Sequence, residues 1–260
     1  MKLAVAATAP FGADVLERLA PRHQIAYLLT RPDRPRGRGR RLAPPPAKEV
    51  AERHGIPVRQ PERLDDAFLP EVETLVVVAY GQLVPRGTLE QARWLNVHPS
   101  LLPRWRGAAP VERALMAGDT TTGVTIHETV KALDAGPIAA QEAFLVTDDD
   151  DAGTVFARSA EIAASLLAAV LPSPEFTPQA DEGVTYAEKI TPEDRLLDLD
   201  RPARENVNAV RALSPHIGAR LDDLLVWKAR VAEDGSFEPV EVQPPGGRRM
   251  AYEAYLRGRR

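Results

Sequence analysis

The chain has 260 residues, 44% hydrophobic and 27% charged, with a net charge of −4. These are the proportions of a globular protein of one large or two ordinary domains. It has no cysteine, which excludes disulfides, a thiolate nucleophile and a cysteine-ligated zinc site, and fits a reducing compartment.

The first apolar run, residues 3–9, is followed by Asp14 and Glu17. It is too short for a membrane span and lacks a signal-peptide cleavage pattern, so a cytoplasmic protein away from membranes is expected. Residues 3–7 read as a buried strand, residues 13–20 as a helix and residues 25–30 as a second strand. The turn after the first strand, Ala7-Thr8-Ala9-Pro10-Phe11-Gly12, has no GxGxxG, so nothing beyond fold class supports dinucleotide binding.

Residues 31–41, RPDRPRGRGRR, contain six arginines and one acid. Proline and glycine interrupt the run and it has no apolar period, so it cannot pack as core. A solvated, mobile basic arm suited to a polyanion such as a nucleic-acid backbone is expected. Three prolines give it a stiff exit at residues 44–46, and residues 47–55 read as a helix.

Residues 74–80, TLVVVAY, form the most strand-like segment, suited to the centre of a parallel sheet. Strands are expected at 94–98, 123–129 and 138–146, and helices at 108–117 and 153–171. This alternation predicts an α/β domain, Rossmann-like with a mostly parallel sheet, over residues 1–171. Residues 172–183, with three prolines and three acids, read as a linker. Residues 184–260 form a smaller second part with a helix near 203–213 and strands at 224–231 and 240–242. It closes on a second basic cluster containing Arg248, Arg249 and Arg257.

Asn96 and His98 lie two apart on a strand and project to the same side, at the carboxyl end of a sheet where open α/β folds bind ligands. A lone Asn-x-His is more often structural. Asp134, in the turn Leu133-Asp134-Ala135-Gly136, reads by itself as an ordinary turn residue, and His127 as strand packing. No histidine pair has metal-ligand spacing, so no metal is expected.

The segment LNVHPSLLPRWRGAAPVERALMAGDTTTGVTI (residues 95–126) resembles the core signature of the methionyl-tRNA formyltransferases, within the folate-dependent formyltransferases. VVAYGQLVP, LDAG, VTYAEKI, VWKA and the arginine-rich tail continue the resemblance in order along nearly the whole chain. It implies formyl transfer from 10-formyltetrahydrofolate to the α-amine of methionyl-initiator tRNA. It assigns Asn96, His98 and Asp134 to catalysis. Ser100, Leu101, Leu102 and Pro103, with Tyr80, Gly81 and Leu83, would line the folate site. Arg36, Arg38, Arg40 and Arg41 would meet the tRNA acceptor stem, and a monomer is expected.

The chain departs from the family in three places: the alanine-containing first turn, Pro137 after LDAG, and a second domain expected to be a small, truncated OB-like barrel. Two rival functions remain at this point. A sugar-nucleotide N-formyltransferase would share the triad, and a non-catalytic tRNA-binding paralogue would share the basic loop.

Overall fold

The computed structural model describes residues 2–36, 41–65, 67–68 and 70–258. In chain order it runs β1 (Lys2–Ala7), α1 (Pro10–Leu19), β2 (Gln24–Leu29), β3 (Arg34–Arg36), β4 (Arg41–Ala43), α2 (Pro46–Arg53), β5 (Val58–Arg59) and β6 (Thr74–Val78). There follow α3 (Arg86–Leu89), β7 (Arg93–His98), β8 (Arg106–Gly107), α4 (Pro110–Ala117), β9 (Thr121–Glu128), β10 (Ile138–Leu145) and α5 (Ala152–Val170). The remainder is β11 (Tyr186–Ala187), α6 (Ala203–Leu213), β12 (Ala219–Leu221), β13 (Leu224–Val231), β14 (Phe237–Gln243), β15 (Met250–Ala251) and α7 (Tyr252–Arg257). By compactness the chain forms two units interleaved in sequence. The first holds residues 1–103, 123–142 and 157–184, and the second residues 104–122, 143–156 and 185–260. The segment 172–183 falls within the first.

The first unit is built on a seven-stranded sheet of order β10-β9-β7-β6-β1-β2-β5. β7, β6, β1, β2 and β5 are parallel, and β9 runs antiparallel to β7. Residues Leu3 to Ala7 of β1 are fully buried, as their unbroken apolar run requires of a strand covered on both faces. The chain steps outward from β1 to β2 and β5, then returns to β6 on the other side of β1. The ends of β1 and β6 are joined where Thr8 Oγ1 donates to the Tyr80 carbonyl at 2.8 Å. A Cβ on Gly12 would lie 2.6 Å from the Val78 carbonyl oxygen and 2.8 Å from Ala7 Cβ, so the first turn of α1 can approach β6 only through glycine. β6 stops two residues short of its sequence reading because Ala79 and Gly81 take φ values of 45° and 75°. α5 is long and apolar enough to cross a membrane. Its Ala160, Ala163 and Leu167 are instead buried in the protein.

Residues 37–40 of the basic run lie outside the described residues. Its described part is a two-stranded antiparallel ladder pairing Arg34 with Ala43, Pro35 with Leu42 and Arg36 with Arg41. The base is tied shut. Lys48 Nζ lies 2.9 Å from both Asp33 carboxylate oxygens, and Gln60 Nε2 donates to Asp33 Oδ1 (2.7 Å) and to the Arg31 carbonyl (2.8 Å). Hydrogen bonds from Gln60 and then Lys48 hold the Asp33 carboxyl below its ordinary range.

The second unit explains two of the sequence motifs as partners. β8, inside WRGAAP, pairs in parallel with β11, inside VTYAEKI. A Cβ on Gly107, whose φ is 125°, would sit 2.5 Å from the Ala187 carbonyl oxygen, so this pairing needs glycine. Asp119 accepts from Arg104 Nε and Nη2 and from Trp105 Nε1 at 2.8–3.0 Å, which fixes the PRWRG loop. A four-stranded antiparallel sheet, β12-β13-β14-β15, packs with α6 over Val210, Leu213, Ala219, Val226 and Val242. Two of these strands, β12 and β15, are too short to show in the sequence. Four strands in a row are one fewer than an OB barrel needs, in line with the reduced barrel expected. Arg249 of the second basic cluster lies over the Trp227 ring at 3.6 Å.

Candidate active site

β7 carries Asn96 and His98, and the antiparallel register with β9 sets Asn96 opposite His127 and His98 opposite Thr125. The alternation of side chains along a strand turns Asn96 and His98 to one side, as the sequence predicts. After β9 the chain turns back through Asp134. Asp134 takes a φ of 46°, in the left-handed region that aspartate and asparagine enter more readily than most residues. The turn is tight. A Cβ on Gly136 would lie 1.8 Å from the Glu128 carbonyl oxygen, so no side chain fits there.

These elements bring the three predicted catalytic residues together. Asn96 Nδ2 donates to Asp134 Oδ1 at 3.3 Å, and His98 Nδ1 lies 3.8 Å from Asp134 Oδ2. The second distance is within ion-pair range and beyond a direct hydrogen bond. The side chains of His98 and Asp134 are 5% and 13% exposed, so the group is almost withdrawn from bulk water.

His127, which reads from sequence as packing, belongs to the same cluster. Its Nδ1 lies 2.9 Å from the Glu128 carbonyl, which can only accept, so Nδ1 carries the proton. In the neutral ring Nε2 is then an acceptor, and Asn96 Nδ2 donates to it at 3.0 Å. His127 Nε2 also lies 3.7 Å from Asp134 Oδ1. His127 therefore orients the Asn96 amide.

The predicted folate loop follows β7 directly. Ser100 is buried, and its N–H donates to the His98 carbonyl at 2.9 Å. Thr125 Oγ1 donates to the Ser100 carbonyl (2.7 Å) and accepts from Leu102 N–H (3.1 Å) and Gln141 Nε2 (2.8 Å). Gln141 Nε2 also reaches the Leu102 carbonyl at 2.8 Å. Leu101 packs where a Cβ on Gly123 would lie only 2.5 Å from its Cδ2. Leu102 and Pro103 are joined by a cis peptide bond. The loop is thus stapled to β9 and β10 rather than free.

The other predicted folate residues separate. Tyr80 is buried in the core with Tyr27, Leu75 and Trp94, and burial pushes its hydroxyl well above the usual tyrosine range. Gly81 supplies the turn, and Leu83 is 91% exposed. Of the basic residues, Arg36 ends β3, Arg41 opens β4 and is exposed, and Arg38 and Arg40 lie outside the described residues. Among the described residues no group of three histidines or carboxylates could hold a metal ion.

An amide, a buried imidazole and a largely covered carboxylate meet beside a stapled loop on β7 and β9 of a Rossmann-like sheet, an arrangement suited to group transfer of the formyl transferase type. Residues 1–171 match the family model described as formyl transferase. The methionyl-tRNA formyltransferase of Halorhodospira halophila is 42% identical over 290 positions, covering 96% of this chain and 92% of that protein. That of Alcanivorax borkumensis is 37% identical, covering 99% of this chain and 91% of that one. The chain belongs to the formyl transferase family and, within it, to the methionyl-tRNA formyltransferases. The first alignment is longer than the chain's 260 residues, so that relative carries segments this chain lacks.

Solved structures share the fold. A methionyl-tRNA formyltransferase from Clostridium thermocellum superposes with a TM-score of 0.65 at 15% identity, over 94% of this chain and 98% of that one. An N-formyltransferase from Helicobacter canadensis, in complex with folinic acid and dTDP-3-aminofucose, superposes with a TM-score of 0.68 at 17% identity, over 89% and 88%. At such identities the likeness is one of fold.

Proposed function

We infer that the chain transfers the formyl group of 10-formyltetrahydrofolate to the α-amino group of methionyl-initiator tRNA, acting as a cytoplasmic monomer. The observation that carries this reading is the convergence of Asn96, His98 and Asp134 in a chain 42% identical to a methionyl-tRNA formyltransferase. Residues 1–171 supply the formyl-transferring part, with 172–183 packed into the same unit, and residues 184–260 assist the tRNA side.

As the amine attacks the formyl carbon, negative charge develops on the formyl oxygen and N10 of the folate must gain a proton to leave. An amide N–H aimed at such an oxygen is worth on the order of 3 kcal/mol. Both Nδ2 hydrogens of Asn96 are engaged, one by His127 at 3.0 Å and one by Asp134 at 3.3 Å. The longer bond is the one to exchange. Asn96 then keeps its His127 anchor and turns its second hydrogen to the formyl oxygen. This releases Asp134 to close on His98, 3.8 Å away, and to support the imidazolium formed when His98 takes the proton that the attacking amine loses; His98 then passes that proton to N10 as the bond from N10 to the formyl carbon breaks. Ser100, Leu101, Leu102 and Pro103 edge the pterin, and Tyr80, Gly81 and Leu83 supply further contacts to the folate. Arg36, Arg38, Arg40 and Arg41 engage acceptor-stem phosphates.

Three acceptors offered with one formyl donor test this reading. Methionyl-initiator tRNA should be formylated at the highest kcat/KM, elongator methionyl-tRNA far less, and dTDP-amino-sugars not measurably. Preference for the amino-sugar would overturn it in favour of the sugar-nucleotide enzyme.

A further inference from the structure

The turn that carries Asp134 has to hold a left-handed aspartate in a nearly dry site, and a distant segment of chain braces it. Thr177 pairs with Ile138, at the start of β10, through two backbone bonds: Ile138 N–H to the Thr177 carbonyl at 2.7 Å and Thr177 N–H to the Ile138 carbonyl at 2.9 Å. Two residues later the Gln179 side chain reaches the turn. Its Nε2 donates to the carbonyl of Asp134 at 2.7 Å and to that of Gly136 at 2.8 Å. One primary amide thus spends both of its hydrogens on the two carbonyls that flank Ala135. The bonds span 45 and 43 residues of sequence, so the turn is not set by local preference alone.

We propose that Gln179 is a positioning residue for formyl transfer: it clamps the Asp134 turn so that the carboxylate stays within reach of Asn96 and His98. This rests on the catalytic reading of Asp134. Three features carry it. The Asp134 backbone has φ of 46°, which costs free energy unless neighbours hold it. The close approach of Gly136 to Glu128 fixes one end of the turn, and the clamp bonds both the Asp134 and the Gly136 carbonyls. The carboxylate works at distances of 3.3 and 3.8 Å, where a shift of about 1 Å disengages it. The segment 172–183, by composition a linker, is thereby part of the active-site scaffold.

The test is a double-mutant cycle on the full chain, read as steady-state kcat and KM with methionyl-initiator tRNA. Gln179→Ala should lower kcat on the order of 10- to 100-fold with both KM values unchanged. Gln179→Glu keeps the shape and removes both donors, so it should lose as much. In the Asp134→Asn background, neither change should lower kcat further, because the group they position no longer carries charge. Circular dichroism and the thermal midpoint identify any variant that has lost its fold, and Gln179→Glu then replaces Gln179→Ala in the cycle. Equal losses in both backgrounds, or full activity for Gln179→Glu, would overturn the proposal. An Asp134→Asn enzyme as active as wild type would instead overturn the catalytic reading of Asp134 on which it rests.

Discussion

Asp134→Asn is expected to lower kcat by about 10²- to 10⁴-fold, the range of a positioned acid–base group, with folding and folate binding retained. The substitution removes charge and little else. Asparagine has the same size and enters the left-handed region as readily, so the φ of 46° is kept. An amide oxygen at Oδ1 still accepts from Asn96 Nδ2, now at 3.3 Å. The change takes away the negative charge 3.8 Å from His98, and with it support for an imidazolium in a site where His98 is only 5% exposed. Single-turnover formyl transfer with saturating substrates isolates this step from binding. An Asp134→Asn rate within a few-fold of wild type would mean that the carboxylate merely orients the turn.

The second large effect concerns the arginine-rich run at residues 31–41. Neutralising Arg36, Arg38, Arg40 and Arg41 together to glutamine should reduce the dependence of log KM for tRNA on log salt by about three to four units, roughly one for each phosphate no longer neutralised. The KM for the formyl donor should stay unchanged. The run suits this role because its described ladder pairs Arg36 with Arg41, so both positions belong to one short element. The Asp33–Lys48–Gln60 tie at its base fixes where that element leaves the sheet. A salt dependence identical to wild type would remove these arginines from tRNA binding.

Much of the fold is legible in the sequence because its signals are local. The unbroken apolar runs of β1 and β6 mark strands buried on both faces, and α5 follows a plain helical period. Asn96 and His98 follow from strand alternation alone, since residues two apart share a side. Asp134 does not follow from any local rule. Its approach to Asn96 depends on the antiparallel register of β9 against β7 and on the glycine-tight turn after it, both long-range. His127 escapes a sequence reading because a single histidine in an apolar strand is usually packing. Thr125 and His127 are nevertheless two apart, both buried and both polar, alternating with the apolar Val124 and Ile126. That alternation is the signal the sequence offers, and the structure uses one for the loop at residues 100–102 and the other for Asn96. The pairing of residues 34–36 with 41–43 is hidden because arginine, proline and glycine carry no strand period. β12 and β15, at three and two residues, are set by pairing rather than by their own sequence.

The most direct measurement is transfer of labelled formyl from 10-formyltetrahydrofolate to methionyl-initiator tRNA by the purified protein, run beside His98→Ala. The geometry of Asn96, His98 and Asp134 predicts multiple turnovers for wild type and a rate reduced by about 10²- to 10⁴-fold for the variant, with its folate affinity retained. Equal rates for the two proteins, or no transfer by the wild type despite tight binding of both substrates, would contradict it.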